Sequence, residues 1–108
     1  ENDVAAIDIN MGCPKEFSVK GDMGIALLQN SDKACHILKM LVSNLSIPVT
    51  CKIRIFETQE KTLDVVKKLV STGISAIAIH GRTKDERPQH AVHTDVIRYV
   101  AERISIPV

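Results

Sequence analysis

Aromatic residues are scarce in this chain of 108 residues, which contains two Phe, one Tyr and no Trp. A module that binds single-stranded nucleic acid by itself stacks the bases on several aromatic side chains, so the composition argues against such a module. An excess of one charge is also missing, because 14 basic residues stand against 13 acidic ones and the net charge is +1. That balance neither demands nor excludes a nucleic-acid partner, and any basic surface would have to be local.

Cysteines and long apolar runs are limited as well. The three cysteines, Cys13, Cys35 and Cys51, are odd in number and widely spaced, which fits a reducing compartment better than a disulfide framework. No apolar run reaches the roughly 18 residues that a transmembrane helix needs, so no membrane span is predicted. Hydrophobic residues nevertheless make up 44% of the chain, which is enough for a real core.

Strand and helix patterns alternate along the chain. An apolar run at Val4–Ile9 predicts a buried strand, and two further strands are predicted at 49–55 and 75–80. Apolar residues at helical spacing predict helices from Ser31, from Thr58 or Gln59, and after a Thr94 cap. Such alternation predicts a parallel sheet with right-handed crossovers, because parallel strands need long connections.

A short repeat extends this pattern. Ser46–Ile47–Pro48–Val49 leads into the second strand, and Ser105–Ile106–Pro107–Val108 follows the last predicted helix. A fourth strand is therefore expected to begin near Ile106. On this pattern the chain is expected to be a fragment of a larger, repeating α/β protein.

Two closures of the sheet compete: an open doubly wound sheet, or part of an eight-stranded βα barrel. No G-x-G-x-x-G follows any strand, so the dinucleotide-binding open sheet is less favoured. One face of each strand carries small or polar residues, with the polar ones toward the carboxyl end, where barrel active sites lie. These are Ala6, Asp8 and Asn10, then Thr50, Lys52 and Arg54, then Ala76, Ala78 and His80. We therefore predict an α/β fold that is about half of a TIM-type (β/α)8 barrel.

Cys13 lies directly after the first strand, in the turn Gly12–Cys13–Pro14. Gly12 is expected to adopt a backbone conformation that other residues resist, and Pro14 prevents the strand from continuing. A thiol held at the mouth of a sheet can act as an acid or a nucleophile. The alternative is that Cys13 is a small buried hydrophobe, the usual fate of a free cysteine.

When the carboxyl ends of the strands are aligned, several polar side chains are placed around one opening, the mouth of the predicted barrel. Two cations on an inner face, Lys52 and Arg54, are costly unless paired, which suggests a ligand with phosphate or electron-rich oxygens. An edge strand with a solvated charged face would also explain them, but the pattern predicts that the flanking strands are buried. His80, His90, His93 and Cys13 match no zinc-ligand spacing, so no metal is predicted. The residues expected at the mouth are Asn10, Cys13, Lys52, Arg54, His80 and Arg82.

The segments Asp8–Pro14, Lys52–Arg54 and His80–Thr83 resemble, in this order, successive motifs of the tRNA-dihydrouridine synthases. These are FMN-dependent βα-barrel enzymes. The tract Glu86–His90 is more similar to the eukaryotic cytoplasmic branch, which modifies position twenty of the tRNA D-loop. Asp22 departs from the pattern, because the family has a second glycine there. The resemblance implies that residues 1–108 are the central part of an FMN-binding barrel domain.

The resemblance also implies residue roles. Cys13 would be the general acid that protonates C5 of uracil after hydride from the flavin reaches C6. Lys52 and His80 would contact the FMN isoalloxazine ring. NADPH would reduce the flavin, tRNA rather than DNA or a membrane would be the partner, and the FMN phosphate would be held by later barrel loops. The residues expected to hold the flipped-out uridine or its phosphate are Asn10, Arg54 and Arg82.

Two other functions remain open at this point. A βα-barrel aldolase or lyase could use Lys52 as a Schiff base at a strand end. A barrel without catalytic activity could serve as an RNA-binding scaffold, although the set Cys13, Lys52 and His80 argues against that hypothesis.

Overall fold

A computed structural model describes residues 3–15, 20–21 and 23–108 of the chain. The departure at Asp22 lies outside the described residues. Strands and helices alternate as the sequence predicts. In chain order the elements are β1 (Ile7–Asn10), α1 (Ile25–Gln29), α2 (Ser31–Asn44), β2 (Val49–Arg54), α3 (Gln59–Val70), β3 (Ala76–His80) and α4 (Thr94–Ala101).

The strands form a three-stranded parallel sheet in the order β1-β2-β3. The register places Asn10 opposite Lys52, and Arg54 opposite His80. Because residues in register on parallel strands share a face, the polar ends of all three strands lie side by side. The strand that carries Lys52 and Arg54 is the central one of this sheet, so the edge-strand explanation for these two cations is wrong.

The two faces of the sheet differ sharply. Val49, Cys51 and Ile53 of β2 are at most 2% exposed and belong to a single core cluster. That cluster also contains Leu38 of α2 and Val66 of α3, so these helices cover the aliphatic face. The opposite face is open, with exposed side chains at Asp8, Asn10, Lys52 and Ala78. The predicted division into an aliphatic and a polar face is confirmed.

The two copies of the Ser-Ile-Pro-Val repeat make the same contact with the preceding strand. The Ile7 amide of β1 donates to the Pro48 carbonyl at 3.0 Å, and the Ile77 amide of β3 donates to the Pro107 carbonyl at 3.0 Å. Residues 105–108 are not yet in a strand. Their position beside β3 supports the predicted fourth strand, which stays a prediction.

The first strand is shorter and less buried than the sequence predicts. It begins at Ile7, and Val4 is 51% exposed. Along β1 half-buried and exposed residues alternate, because β1 has one hydrogen-bonded neighbour in the described sheet and its Asp8 and Asn10 face is open.

The helix starts agree with prediction in two cases and differ in one. Thr58 caps α3 by accepting a hydrogen bond from the Lys61 amide at 3.1 Å. Helix α2 begins at Ser31, as predicted, and Asn30 caps it by accepting a hydrogen bond from the Lys33 amide. Thr94 is the first residue of α4 and not its cap, since His93 takes the cap position and no side chain caps this helix end. Among the described residues, no helix is long and apolar enough to cross a membrane.

Candidate functional site

A cavity of about 160 Å³ opens at the carboxyl ends of the strands. All the side chains that the sequence places at this mouth line it, except Arg82, which contacts His80. The full lining is Asn10, Gly12, Cys13, Pro14, Lys52, Ile53, Arg54 and His80. The spatial prediction for these residues therefore agrees with the structure.

Two other cavities differ in their relation to this one: the first shares residues with it, and the second does not. A neighbouring cavity of about 400 Å³ shares Asn10 and Cys13 with the first and adds the apolar side chains of Met23 and Leu27. Cys13 therefore borders both a cationic and a largely apolar space. A roomier cavity of about 480 Å³, lined by residues such as Phe56 and Lys68, contains none of the predicted site residues.

The turn that carries Cys13 is tethered at several points. The Met11 amide donates to the Lys52 carbonyl at 2.8 Å, which extends the β1–β2 pairing beyond the strand. The Gly12 amide donates to Oδ1 of Asn10 at 2.9 Å, and the Ile25 amide donates to the Cys13 carbonyl at 2.9 Å. Cys13 is partly exposed. The turn thus holds the thiol near the strand ends and keeps it accessible.

The glycine that this turn requires is Gly24 and not Gly12. Gly24 has φ +57°, in the left-handed region, whereas Gly12 is not among the positive-φ glycines. A β-carbon added to Gly12 would lie 3.5 Å from Cγ of Arg54, an ordinary contact. The same addition at Gly24 would lie 2.8 Å from Cβ of Cys13. The prediction for Gly12 is wrong, because Gly24 is the residue that packs backbone to backbone against the cysteine.

Arg54 ties the β1 turn to the loop after β3. Its side chain is buried, with Nε donating to the Gly12 carbonyl at 2.8 Å and Nη1 donating to the carbonyls of Thr83 and Glu86 at 2.8 and 3.1 Å. Desolvation, followed by the positive charge of Arg87, lowers the pKa of Arg54. The neutral carbonyl partners explain how this cation is accommodated at the site.

The loop after β3 is organised by Glu86, whose role the sequence analysis missed. Its carboxylate accepts from the Thr83 amide at 2.8 Å and contacts Nε2 of His93 at 3.0 Å. Together these bonds lower the pKa of Glu86 to about 2, with the Thr83 amide as the main cause. The signal was present in the sequence, because Thr83 and Glu86 have the Thr-x-x-Glu spacing of a capping box.

Two histidines of the same loop serve its internal structure. Nδ1 of His90 accepts from the Arg87 amide at 2.8 Å, and His93 contacts Glu86 as described above. No group of three or more His, Cys, Asp or Glu side chains that could hold a metal ion occurs in residues 3–15, 20–21 and 23–108.

Lys52 and His80 line the cavity beside Arg54 and supply an ammonium and an imidazole group. Lys52 is exposed on the open face, and its ammonium has no hydrogen bond or ion pair with any described residue. His80 lies opposite Arg54 in the register, and its Nε2 is 3.0 Å from Nη1 of Arg82. Burial first, and then the charges of Arg54, Arg82 and Lys52, lower the pKa of His80 below its ordinary 6.5. This shift favours the neutral form of the ring at physiological pH.

A family model described as dihydrouridine synthase matches residues 1–108. The chain belongs to the dihydrouridine synthase family. It is 45% identical over 105 residues to a tRNA-dihydrouridine(20) synthase of Saccharomyces cerevisiae, with 94% of this chain covered. It is 48% identical over 90 residues to a tRNA-dihydrouridine(20) synthase of Schizosaccharomyces pombe, with 80% covered. A human tRNA-dihydrouridine(20a/20b) synthase-like protein is 37% identical over 105 residues, with 94% covered.

The matched region is a limited part of these relatives. The chain spans 27% of the S. cerevisiae protein, 19% of the S. pombe protein and 33% of the human protein. The names of all three relatives specify NAD(P)+. The match to the family model and the identities to these relatives confirm the family resemblance of the three motifs.

Proposed function

We propose that this dihydrouridine synthase chain forms the catalytic centre of an enzyme that reduces the C5=C6 bond of a tRNA uridine to dihydrouridine. The observation that carries the proposal is the common cavity of Cys13, Lys52 and His80 at the strand ends. Each of these residues comes from a different segment that resembles the family. Both relatives named tRNA-dihydrouridine(20) synthase support position twenty of the D-loop as the target.

We also propose that the sheet is an arc of a TIM-type barrel. The strand order follows the chain without a reversal, and Pro107 lies where the next strand would pair with β3. The core lies on one face of the sheet and the polar face is open. An open doubly wound sheet would instead carry helices on both faces.

FMN fits the donors that the chain presents. The Lys52 ammonium points from the open face without a protein partner among the described residues, and a neutral His80 lies on the neighbouring strand. A positive donor beside an isoalloxazine ring stabilises the charge of its reduced form. FMN bound here would supply the hydride that reaches C6 of the uracil, with NADPH as the source of that hydride.

Cys13 completes the reduction by donating its proton to C5. One C–H bond forms at C6 from hydride and one at C5 from the thiol, and the resulting thiolate recovers a proton from water. The form of Cys13 that reacts is thus the thiol. Because Cys13 borders both the cationic and the apolar cavity, it is accessible to a uracil beside the isoalloxazine ring.

The uridine must leave the RNA stack to reach this thiol. In the proposal, Asn10, Arg54 and Arg82 help to hold the flipped nucleotide, although Arg54 and Arg82 also bond to the loops around the site. A reducing, cytoplasmic environment accords with three cysteines that are present as thiols, of which Cys51 is buried with its pKa raised to about 12, mainly by burial.

The direct test uses the full-length protein that carries this segment. Purified protein should be yellow, and with NADPH it should form dihydrouridine in unmodified tRNA at position twenty. Protein without flavin absorption that instead forms a borohydride-trapped adduct of Lys52 with a carbonyl compound would support the aldolase hypothesis. Tight tRNA binding without NADPH oxidation would support the scaffold hypothesis.

A further inference from the structure

Arg82 uses its guanidinium in three directions. Nε donates to the His90 carbonyl at 2.9 Å, and Nη2 donates to the Pro88 carbonyl at 3.3 Å. Nη1 lies 3.0 Å from Nε2 of His80. Every nitrogen of this side chain therefore already has a partner within the protein.

The contact with His80 has only one chemically consistent assignment. A guanidinium carries N–H donors and no acceptor, so Nη1 of Arg82 must donate and Nε2 of His80 must accept. A ring nitrogen that accepts carries no proton. A neutral imidazole with an unprotonated Nε2 has its proton on Nδ1, and an imidazolium would place a second N–H against the guanidinium.

We infer that Arg82 is a positioning residue that holds His80 as the neutral tautomer protonated at Nδ1. Nδ1 is then the single nitrogen of the ring that can donate a hydrogen bond, because Nε2 accepts from Arg82. The value of this arrangement for flavin binding rests on the proposed function, but the tautomer itself does not. This role is added to the substrate contact proposed above for Arg82 and does not replace it.

The positive charges around the His80 ring also favour its neutral form. Arg54, Arg82 and Lys52 all disfavour a positive charge on His80, and burial disfavours it further. Arg82 is in turn held by the carbonyls of the loop that Glu86 organises. A residue fixed at two loop carbonyls can keep its third nitrogen directed at one ring nitrogen.

The tautomer can be measured directly in the full-length protein labelled with 15N-histidine. Long-range proton–nitrogen correlation spectra distinguish protonated from unprotonated ring nitrogens, and His80→Gln identifies the signals of His80 by their loss. We expect Nδ1 to be protonated and Nε2 to be unprotonated at a pH above the ordinary histidine pKa. Arg82→Met should abolish this pattern and raise the pKa of His80, because an obligatory donor and a nearby charge are both removed.

Arg87→Met is the matched control. Arg87 lies in the same loop and its Nη1 bonds to the carbonyls of Lys84 and Glu86, but it does not contact His80. The wild-type tautomer should persist in that variant. Protonation of Nε2 in the wild-type spectrum would overturn the inference even if Arg82→Met did not fold, and so would an equal loss of the pattern in Arg87→Met. These spectra do not depend on turnover, so failure to form dihydrouridine would count against the proposed function alone.

Discussion

Gly24 lies against the backbone of Cys13, with no room for a side chain between them. A β-carbon built on Gly24 would lie 2.8 Å from Cβ of Cys13 and 3.1 Å from its nitrogen, and nearer still to its carbonyl oxygen. The next residue, Ile25, donates its amide to that carbonyl at 2.9 Å. The start of α1 and the cysteine turn therefore form one rigid contact.

Replacing Gly24 by Ala should displace Cys13 and slow the reaction. The added carbon cannot fit unless the turn moves, and φ +57° is itself unfavourable for alanine. A misplacement of about 1 Å can cost about 10²-fold in rate, so we expect a loss of that order in kcat for dihydrouridine formation. The rate at which iodoacetamide alkylates Cys13 should change as well.

The control is Gly73→Ala. Gly73 also has a positive φ, +95°, and an added carbon there would meet Cγ1 of Val42 at 3.0 Å, away from the site. This variant should lower the melting temperature and leave kcat nearly unchanged. Equal losses of kcat in both variants would show that backbone strain, rather than contact with Cys13, controls the rate.

Replacing Arg54 by Lys should destabilise the fold. A lysine has one nitrogen in place of Nε and Nη1, so it should lose the bond to the Gly12 carbonyl or the bonds to the Thr83 and Glu86 carbonyls, which leaves partly buried acceptors without their charged donor. We expect a loss of about 1–3 kcal/mol in the free energy of unfolding, measured by denaturant titration of the full-length protein. Arg98→Lys on the exposed side of α4 should cost much less. Equal stability of the two variants would contradict the role given to Arg54.

Replacing Lys52 by Met should weaken flavin retention or slow its reduction by NADPH. The exposed ammonium of Lys52 is the cation proposed to lie beside the isoalloxazine ring. Flavin content after gel filtration and stopped-flow bleaching of the flavin absorption measure the two effects. Lys67→Met, an exposed lysine of α3, should match the wild type. Full flavin content and unchanged reduction in Lys52→Met would refute the flavin contact.

The bonds of the Glu86 carboxylate to the Thr83 amide and to His93 should stabilise the loop at neutral pH but not at acidic pH. Its pKa is lowered from 4.5 to about 2 in the folded chain, so its contribution is fully present above 4.5 and is lost as the pH falls toward 2. Glu86→Gln should therefore melt below the wild type at neutral pH, and the difference should shrink below pH 4.5. Glu57→Gln, at an exposed i,i+4 pair with Lys61, should show no comparable change. A difference in melting temperature between Glu86→Gln and the wild type that stayed the same at every pH would argue against stabilisation by the ionised carboxylate.

The periodic features of the fold could be predicted from the sequence, whereas the contacts between loops could not. The alternation of residue types in β2 predicted the polar face correctly, because successive side chains of a strand point to opposite faces of the sheet. Gly12 and Gly24 are indistinguishable as residue types, and only the approach of α1 to Cys13 shows which one is needed. The bonds of Arg54 to loop carbonyls, including that of Thr83, could not be predicted because these partners are remote in sequence.

The account depends most directly on Cys13 as the proton donor. The decisive measurement is a single-turnover reaction of the full-length Cys13→Ala protein, with its flavin already reduced by NADPH, mixed with unmodified tRNA. We expect normal flavin content and normal reduction by NADPH, with dihydrouridine formation slowed by about 10²–10⁴-fold. Cys35→Ala, at a thiol that contacts the Lys68 carbonyl in the helical layer, should react like the wild type. Dihydrouridine formation at the wild-type rate in Cys13→Ala would contradict the central claim.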